Sequence, residues 1–300
     1  CCNDRLCSNR EMNQNSNDMK ENQNIKVHVL HCGQVQVDIA TPFKQKTLNP
    51  FAYAGIFRGK KHQVIIPVSA YLIEHPKGLV LIDTGWDSNW NILEPQGKRA
   101  FIKQNGRVIY QASKPILPEG QAMDEQLRSL GYTPEDIDYV LITHLDLDHV
   151  GGLELVKNAK NIWVSSEEWK AAHKSSLRYN SKLWENTKIE PFNFQENGIG
   201  PEKCSLDLFG DGSVQFVSTP GHTVGLTSVL VQNNGKQLLI CADVGYAHKS
   251  WEEMILPGYT TSKKQAFASL KWVREISEAP NCLGIFATHD PEVKPQVVVL

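Results

Sequence analysis

A short apolar run that leads into a cluster of metal-ligand residue types is the feature that most constrains this chain. Tyr139-Val-Leu-Ile is followed, after one threonine, by His144-Leu-Asp146-Leu-Asp148-His149, so four imidazole or carboxylate side chains lie close together. The run is typical of a buried strand, and a strand end can direct several side chains toward one point. Zinc, iron and manganese all accept such ligands. The motif therefore predicts a metal site; the simpler alternative is a polar loop in which Asp148 caps a helix.

Length and composition favour one α/β domain over residues 25–300. The chain has 300 residues, of which 41% are hydrophobic, which is enough for a substantial core. Residues 1–24 are rich in Asn, Asp, Lys and Glu and predict a flexible polar tail. With a net charge of −2 and scattered Lys and Arg, nucleic acid is not the expected partner. No apolar run approaches the ~20 residues of a membrane-spanning helix.

The cysteines predict no disulfide framework. No Cys-x-x-Cys pair occurs, and Cys241 and Cys282 lie in apolar, strand-like runs where a buried unpaired thiol is expected. The sequence starts at Cys1 without methionine, which leaves two explanations open: a lipoprotein with an acylated Cys1 and the tail as tether, or a sequence boundary without such meaning. The expected location is accordingly the cytoplasm or, with a lipid anchor, the extracytoplasmic side of a membrane.

Strand patterns occur in both halves of the chain, and helical patterns lie between them. One helix is predicted from Met123 to Leu130, a second is expected to be capped by Ser165 or Ser166, and a third is capped by Ser262. Residues 86–120 are expected to form a long, irregular stretch, and residues 175–210 are irregular in pattern, so no element is assigned to them. Strands in both halves with interspersed helices predict two sheets packed face to face with helices outside. The predicted strands begin at Ile25, Val64, Leu79, Tyr139, Val214, Gln237 and Leu283.

Each strand in the second half ends at a further metal-ligand residue. Thr219-Pro-Gly leads to His222 after the first, Asp243 follows the second, and His289 follows the third. Any one of these residues alone is more typical of a surface or capping position. The ordered set, together with the motif at 144–149, predicts that the strand ends converge on one cleft.

This order of motifs resembles the metallo-β-lactamase superfamily, over roughly residues 25–295. Three segments are similar to its N-acyl homoserine lactonase branch: Pro67-Val-Ser-Ala-Tyr-Leu-Ile-Glu-His-Pro-Lys-Gly, Leu127-Arg-Ser-Leu-Gly-Tyr-Thr-Pro-Glu-Asp-Ile-Asp-Tyr and Asp243-Val-Gly-Tyr246. The resemblance implies an αββα sandwich with a two-metal site at one edge of the sheets. It also implies a quorum-quenching hydrolase that opens a lactone ring.

The resemblance further implies a role for each site residue. His144, Asp146 and His222 would hold the first metal, and Asp148, His149 and His289 the second, with Asp243 bridging the two. Asp83 would support the ligand residues without binding a metal itself. Tyr246 would direct its phenol at the substrate carbonyl, and Asp148 would help transfer a proton to the leaving alkoxide after attack by a metal-bound hydroxide.

The departure from the family pattern is Asp146, where histidine is usual. A third carboxylate makes the site less positive and tilts the preference from zinc, otherwise expected, toward manganese or iron. The alternative is that Asp146 is not a ligand and the site holds one metal. Other hydrolases of this fold (ester, thioester or β-lactam), a degenerate metal-binding module and a redox centre with an acidic residue at this position stay open. The expected partner is a small-molecule substrate, and the sequence does not indicate an oligomeric state.

Overall fold

The fold is built on fourteen strands in the computed structural model, which describes residues 24–175 and 178–300. The predicted tail and the hypothesis of a lipid anchor at Cys1 concern residues outside this part of the chain, apart from residue 24. The strands are β1 (Lys26–Asp38), β2 (Gln63–His75), β3 (Gly78–Ile82), β4 (Lys114–Ile116), β5 (Tyr139–Leu141), β6 (Ile162–Ser165), β7 (Glu190–Phe192), β8 (Gln195–Glu196), β9 (Cys204–Asp207), β10 (Val214–Ser218), β11 (Thr227–Asn233), β12 (Lys236–Ala242), β13 (Cys282–Ala287) and β14 (Gln296–Val299).

Six α-helices connect or cover these strands within the described residues. Short 3₁₀ turns lie at Ala52–Ala54, Lys60–His62, Pro134–Asp136, Leu153–Val156 and Ser181–Leu183. The α-helices are α1 (Pro95–Ala112), α2 (Met123–Ser129), α3 (Leu147–Val150), α4 (Ser166–Lys174), α5 (His248–Glu252) and α6 (Lys263–Ser277).

The strands form two mixed sheets. The first has the order β14-β1-β2-β3-β5-β6-β7, with β4 paired to β1, and the second has the order β13-β12-β11-β10-β9-β8. β3, β5, β6 and β7 run parallel, as do β12 and β13. Parallel neighbours end at the same edge of a sheet, so the residues that follow β3 and β5, or β12 and β13, emerge together.

The alternation of side chains along the strands separates three apolar layers. In β2, Tyr71 and Ile73 face the layer between the two sheets, whereas Leu72 faces the helices outside the first sheet. In β12, Ile240 faces the same central layer, whereas Leu239 packs outward under α6. Because successive strand residues point to opposite faces, each sheet buries both of its faces. The predicted αββα sandwich is confirmed.

The stretch 86–120 is more regular than the sequence suggested, and that prediction was wrong for its centre. α1 occupies Pro95–Ala112, interrupted by non-helical geometry at Gly106, and Trp86, Trp90 and Phe101 are fully buried. The ring centroids of Trp90 and Phe101 lie 5.2 Å apart in an edge-to-face arrangement. The segment is thus an ordered cover of the first sheet.

Two helix caps predicted from the sequence are present in the structure. The side chain of Ser165 accepts a hydrogen bond at the start of α4, and that of Ser262 does so at the start of α6.

Cys32 and Cys241 are buried free thiols, whereas Cys282 is free but only partly buried. Burial raises the pKa of the Cys32 thiol to about 12. No helix in the described part of the chain is long and apolar enough to cross a membrane.

Candidate metal centre

The strand ends bring the predicted ligand residues to one edge of the sandwich. Asp83 and His144 follow the parallel strands β3 and β5, whose ends pair Ile82 with Leu141. Asp243 and His289 follow β12 and β13 in the second sheet in the same way. The edge between the sheets therefore collects side chains from both halves of the chain.

The seven predicted metal-ligand residues form three overlapping groups, and within each group the ligand atoms lie within 4.8 Å of one another. α3 begins inside the motif, but its N-cap is Asp146, which makes no capping side-chain bond, and Asp148 lies in the first turn. The alternative of a helix cap by Asp148 is therefore not what the structure has. The groups are His144, His149 and Asp243; His144, Asp146 and His222; and Asp148, His149 and His289.

Asp243 lies between two sets of histidines, with one carboxylate oxygen toward each. Its Oδ1 is 3.5 Å from Nε2 of His149 and 3.5 Å from Nε2 of His289. Its Oδ2 is 3.9 Å from Nε2 of His144 and 3.7 Å from Nε2 of His222. Such an arrangement suits a carboxylate that bridges two ions.

Each histidine of the site is oriented through its Nδ1. His289 Nδ1 lies 2.8 Å from the carbonyl oxygen of Pro67, and His222 Nδ1 lies 3.1 Å from that of Tyr259. A carbonyl only accepts, so these Nδ1 atoms donate and the Nε2 lone pairs face the site. Both imidazole rings are thus held in the tautomer that can bind a metal through Nε2.

Four buried atoms at the centre have no hydrogen-bond partner among the described residues. They are Nε2 of His144, His149 and His289, and Oδ1 of Asp243. Buried polar atoms without partners are uncommon in native proteins, so these four atoms are available to a ligand. Three imidazole lone pairs and a carboxylate oxygen, all convergent, are a donor set that fits divalent metal ions.

The electrostatic field of the site is negative. Burial alone would lower the pKa of His149, yet the carboxylates of Asp83, Asp243 and Asp148 together raise it well above its ordinary value. The carboxylates that favour a positive charge on the His149 ring would also favour a metal cation bound next to the neutral ring. Burial lowers the pKa of His222, which keeps that imidazole neutral and available as a ligand.

Asp83 holds the loop that carries the motif. Its Oδ1 accepts the backbone N–H of Thr143 at 2.8 Å, and its Oδ2 accepts the Thr143 hydroxyl at 2.8 Å. His149 Nδ1 lies 2.7 Å from the same Oδ2. Asp83 itself and Ala242, which directly precedes Asp243, both adopt positive φ, of 60° and 48°. Backbone strain of this kind is typical of functional sites.

Arg178 is a site residue that the sequence did not indicate. Its Nε donates to Oδ1 of Asp146 at 2.7 Å, and its Nη2 donates to Oδ2 at 2.5 Å. Burial would raise the pKa of Asp146, but the guanidinium holds it well below the ordinary value. Asp146 also lies 3.4 Å from Nε2 of His144 and 3.2 Å from Nε2 of His222, measured from Oδ2. The unusual carboxylate thus faces both the ligand histidines and an arginine.

Glu168 in α4 is a second residue that the sequence did not indicate. Its fully buried carboxylate accepts the backbone N–H of Leu145 through Oε1 and that of Gly225 through Oε2, both at 3.1 Å. A Cβ at Gly225 would lie 2.1 Å from the backbone nitrogen of Glu168, so only glycine permits this approach. Glu168 therefore ties the loop of His144 to the loop of His222. Ser165 and Glu168 match the spacing of a capping box, which was the only local signal.

Tyr246 lies at the centre as its Asp-x-x-Tyr position suggested. Its ring is stacked on that of His289, with centroids 4.7 Å apart and 21° between the planes. Burial, with the nearby carboxylates of Asp243 and Asp148, raises the pKa of the phenol well above its usual value. The phenol therefore stays protonated and can donate a hydrogen bond at neutral pH.

Comparison with known proteins identifies the family of this chain. The family model described as the metallo-beta-lactamase superfamily matches residues 65–279. The N-acyl homoserine lactonase AttM of Rhizobium radiobacter is 31% identical over 238 residues, which cover 76% of this chain and 83% of the relative.

Solved structures have the same fold. An N-acyl homoserine lactone hydrolase with N-hexanoyl-L-homoserine bound at its metal centre has a TM-score of 0.69 and 23% identity, and the match covers 89% of this chain and 94% of that one. The dizinc quorum-quenching lactonase AidC has a TM-score of 0.60 and 18% identity, with 92% and 94% covered. With the family match over most of the chain, these findings show that this protein belongs to the metallo-beta-lactamase superfamily.

Proposed function

We propose that this protein is a metal-dependent hydrolase that opens lactone rings, with N-acyl homoserine lactones as the substrate class. The observation that carries the proposal is the position of Asp243, whose two oxygens face two separate sets of ligands. The identity of 31% to a lactonase supports lactones over other substrates of this fold.

In this proposal His144, Asp146 and His222 form the first metal position, and Asp148, His149 and His289 form the second. Two divalent ions held by these residues would lower the pKa of a water molecule and polarise a carbonyl oxygen, which is the chemistry that ester hydrolysis needs. We propose zinc as the usual metal, because imidazole nitrogen predominates among the ligands. The added carboxylate of Asp146 makes manganese or iron acceptable.

The remaining steps belong to the protein's own side chains. The phenol of Tyr246, kept protonated by burial, donates a hydrogen bond to the substrate carbonyl oxygen as negative charge develops there. Asp148, with its side chain 18% exposed at the site, takes a proton released as water adds to the carbonyl carbon. It then delivers that proton to the ring oxygen as the acyl C–O bond breaks. Water is consumed and a hydroxy acid results.

A cavity beside the motif is suited to the acyl part of such a substrate. It has a volume of about 310 Å³ and is bordered by Leu147 of the motif and by Arg178, which contacts Asp146. α1 contributes Ile109 and Asn105 to its wall. Apolar groups are thus mixed with amides and with the cationic side chains of Arg178 and Lys182, which favours a short acyl chain or one that carries a polar substituent.

The test combines metal analysis with a substrate panel. The purified protein is loaded with zinc, its metal content is measured, and it is assayed with acyl homoserine lactones, simple γ- and δ-lactones, a chromogenic β-lactam and a thioester. We expect two ions per chain at saturation and turnover of the lactones.

Two controls make the assay specific. Asp243→Asn should lose both metal content and turnover, whereas Glu167→Gln, a change at an exposed position, should leave both unaltered. A fully loaded protein that cleaves no lactone would refute the substrate class. A protein that binds no metal in excess zinc would instead be a degenerate module.

A further inference from the structure

The guanidinium of Arg178 is fixed by contacts on every side. Besides its paired bonds to Asp146, its Nη1 donates to the carbonyl oxygen of His222 at 3.0 Å. Its central carbon lies 4.7 Å from the ring centroid of Tyr259, as in a cation–π contact. The side chain is only 14% exposed. Arg178 is therefore a largely buried residue of the site whose side chain is held by several contacts at once.

One of these contacts uses the atom that a metal would need. The Nη2 of Arg178 lies 3.0 Å from Nε2 of His222, whose Nδ1 is committed to the carbonyl oxygen of Tyr259. A neutral imidazole has a single lone pair, in the plane of its ring. That lone pair can accept the N–H of Arg178 or bind an ion, and it cannot do both.

Asp146 is shared in the same way. Oδ2 of Asp146, the atom nearest to His144 and His222, is the one that accepts Nη2 of Arg178. A metal held by Asp146 and His222 would therefore lie where the guanidinium now makes two of its hydrogen bonds. The positive charge of Arg178 also opposes a second cation at this point.

The second position has no such competitor among the described residues. Nε2 of His149 and Nε2 of His289 have no hydrogen-bond partner, and the charged groups that face them are the carboxylates of Asp148 and Asp243. The two halves of the centre thus differ in charge and in the availability of their lone pairs.

We propose that Arg178 competes with the metal ion for the first position, so that the two positions load in sequence. The second position fills first, and the first fills only when the guanidinium leaves His222 and Oδ2 of Asp146. At low metal supply the resting protein then holds one ion and one guanidinium. This inference rests on the metal-binding part of the proposed function and is independent of the substrate.

The experiment measures metal affinity and makes no use of turnover. Metal-free wild-type protein is titrated with Zn²⁺ in the presence of a chromogenic chelator, and calorimetry supplies the number of ions for each step. We expect two steps of clearly different affinity. In Arg178→Gln the weaker step should tighten about tenfold or more, because a hydrogen-bonded charge that occupied the position is gone. The stronger step should change little.

Two further variants separate competition from other effects. Arg58→Gln removes an equal charge from a buried pair with Asp38, which contacts no ligand residue, and should leave both steps unchanged. Arg178→Lys keeps the charge but cannot make the same four hydrogen bonds, so it should tighten the weaker step less than Arg178→Gln. If Arg178→Gln does not fold, the affinity of Arg178→Lys provides the test.

The direction of the change decides the outcome. If Arg178 served to orient Asp146 as a ligand, Arg178→Gln would weaken the first position, and this result or an unchanged affinity would overturn the proposal. Two equal steps in the wild type would overturn it as well while leaving the hydrolase intact. Absence of zinc binding in every variant would instead show that the proposed metal-dependent function is itself incorrect.

Discussion

Replacement of Glu168 by glutamine tests whether the two ligand loops depend on one buried carboxylate. Glutamine keeps the size of the side chain but exchanges an acceptor oxygen for an NH₂ group. One of the two backbone N–H groups, that of Leu145 or that of Gly225, then faces a donor in place of its acceptor. A hydrogen bond to a charged group contributes about 1.5 to 3 kcal/mol, and an unpaired buried N–H adds to the loss. Removal of the buried charge offsets part of this loss, so Glu168→Gln should lower the free energy of unfolding by about 2 to 4 kcal/mol.

The loss should also appear in metal binding, because Glu168 connects the loop of His144 with that of His222. Groups that orient metal ligands typically contribute about 10- to 100-fold to affinity. Urea unfolding of metal-free protein and zinc titration measure the two effects. Glu167→Gln is the matched control, since Glu167 is the exposed neighbour on the same helix. Wild-type stability together with wild-type zinc affinity in Glu168→Gln would refute the reasoning.

Three other changes have defined outcomes. Asp83→Asn weakens the contact to Nδ1 of His149 and should lower zinc affinity about 10- to 100-fold by titration; unchanged affinity would contradict the role given to Asp83. Tyr246→Phe should lower kcat about 100-fold with metal content unchanged, and retention of full kcat would remove the phenol from the mechanism. Burial raises the pKa of the Cys32 thiol from 9.0, its ordinary value, to about 12 in the folded chain. The folded state then binds more protons, so stability should fall as pH rises above 9, by at most about 1.4 kcal/mol per unit. Urea unfolding between pH 8 and 10.5 should show a shallower decline in Cys32→Ala, and an identical decline would exclude the thiol as a source.

Much of the fold followed from local patterns. Alternation of apolar and polar residues identified β1, apolar runs identified strands such as β2 and β12, and the caps at Ser165 and Ser262 marked the starts of two helices. α1 was missed because Gly97 and Gly106 interrupt its pattern and its large aromatic residues resembled those of an irregular loop. Its order comes from packing on the first sheet, which no local window contains.

The sequence by itself indicated which residues could bind a metal and in what order they come, since His144, His222, Asp243 and His289 each follow the end of a strand and parallel strands of one sheet end at the same edge. The tertiary structure decided how those residues face one another. Asp146 and Arg178 are 32 positions apart, and Arg178 lies in a stretch without periodicity, so nothing local links them. Their contact exists because the fold brings Arg178 to the loop that follows β5, and only that packing shows the arginine at the lone pair of His222.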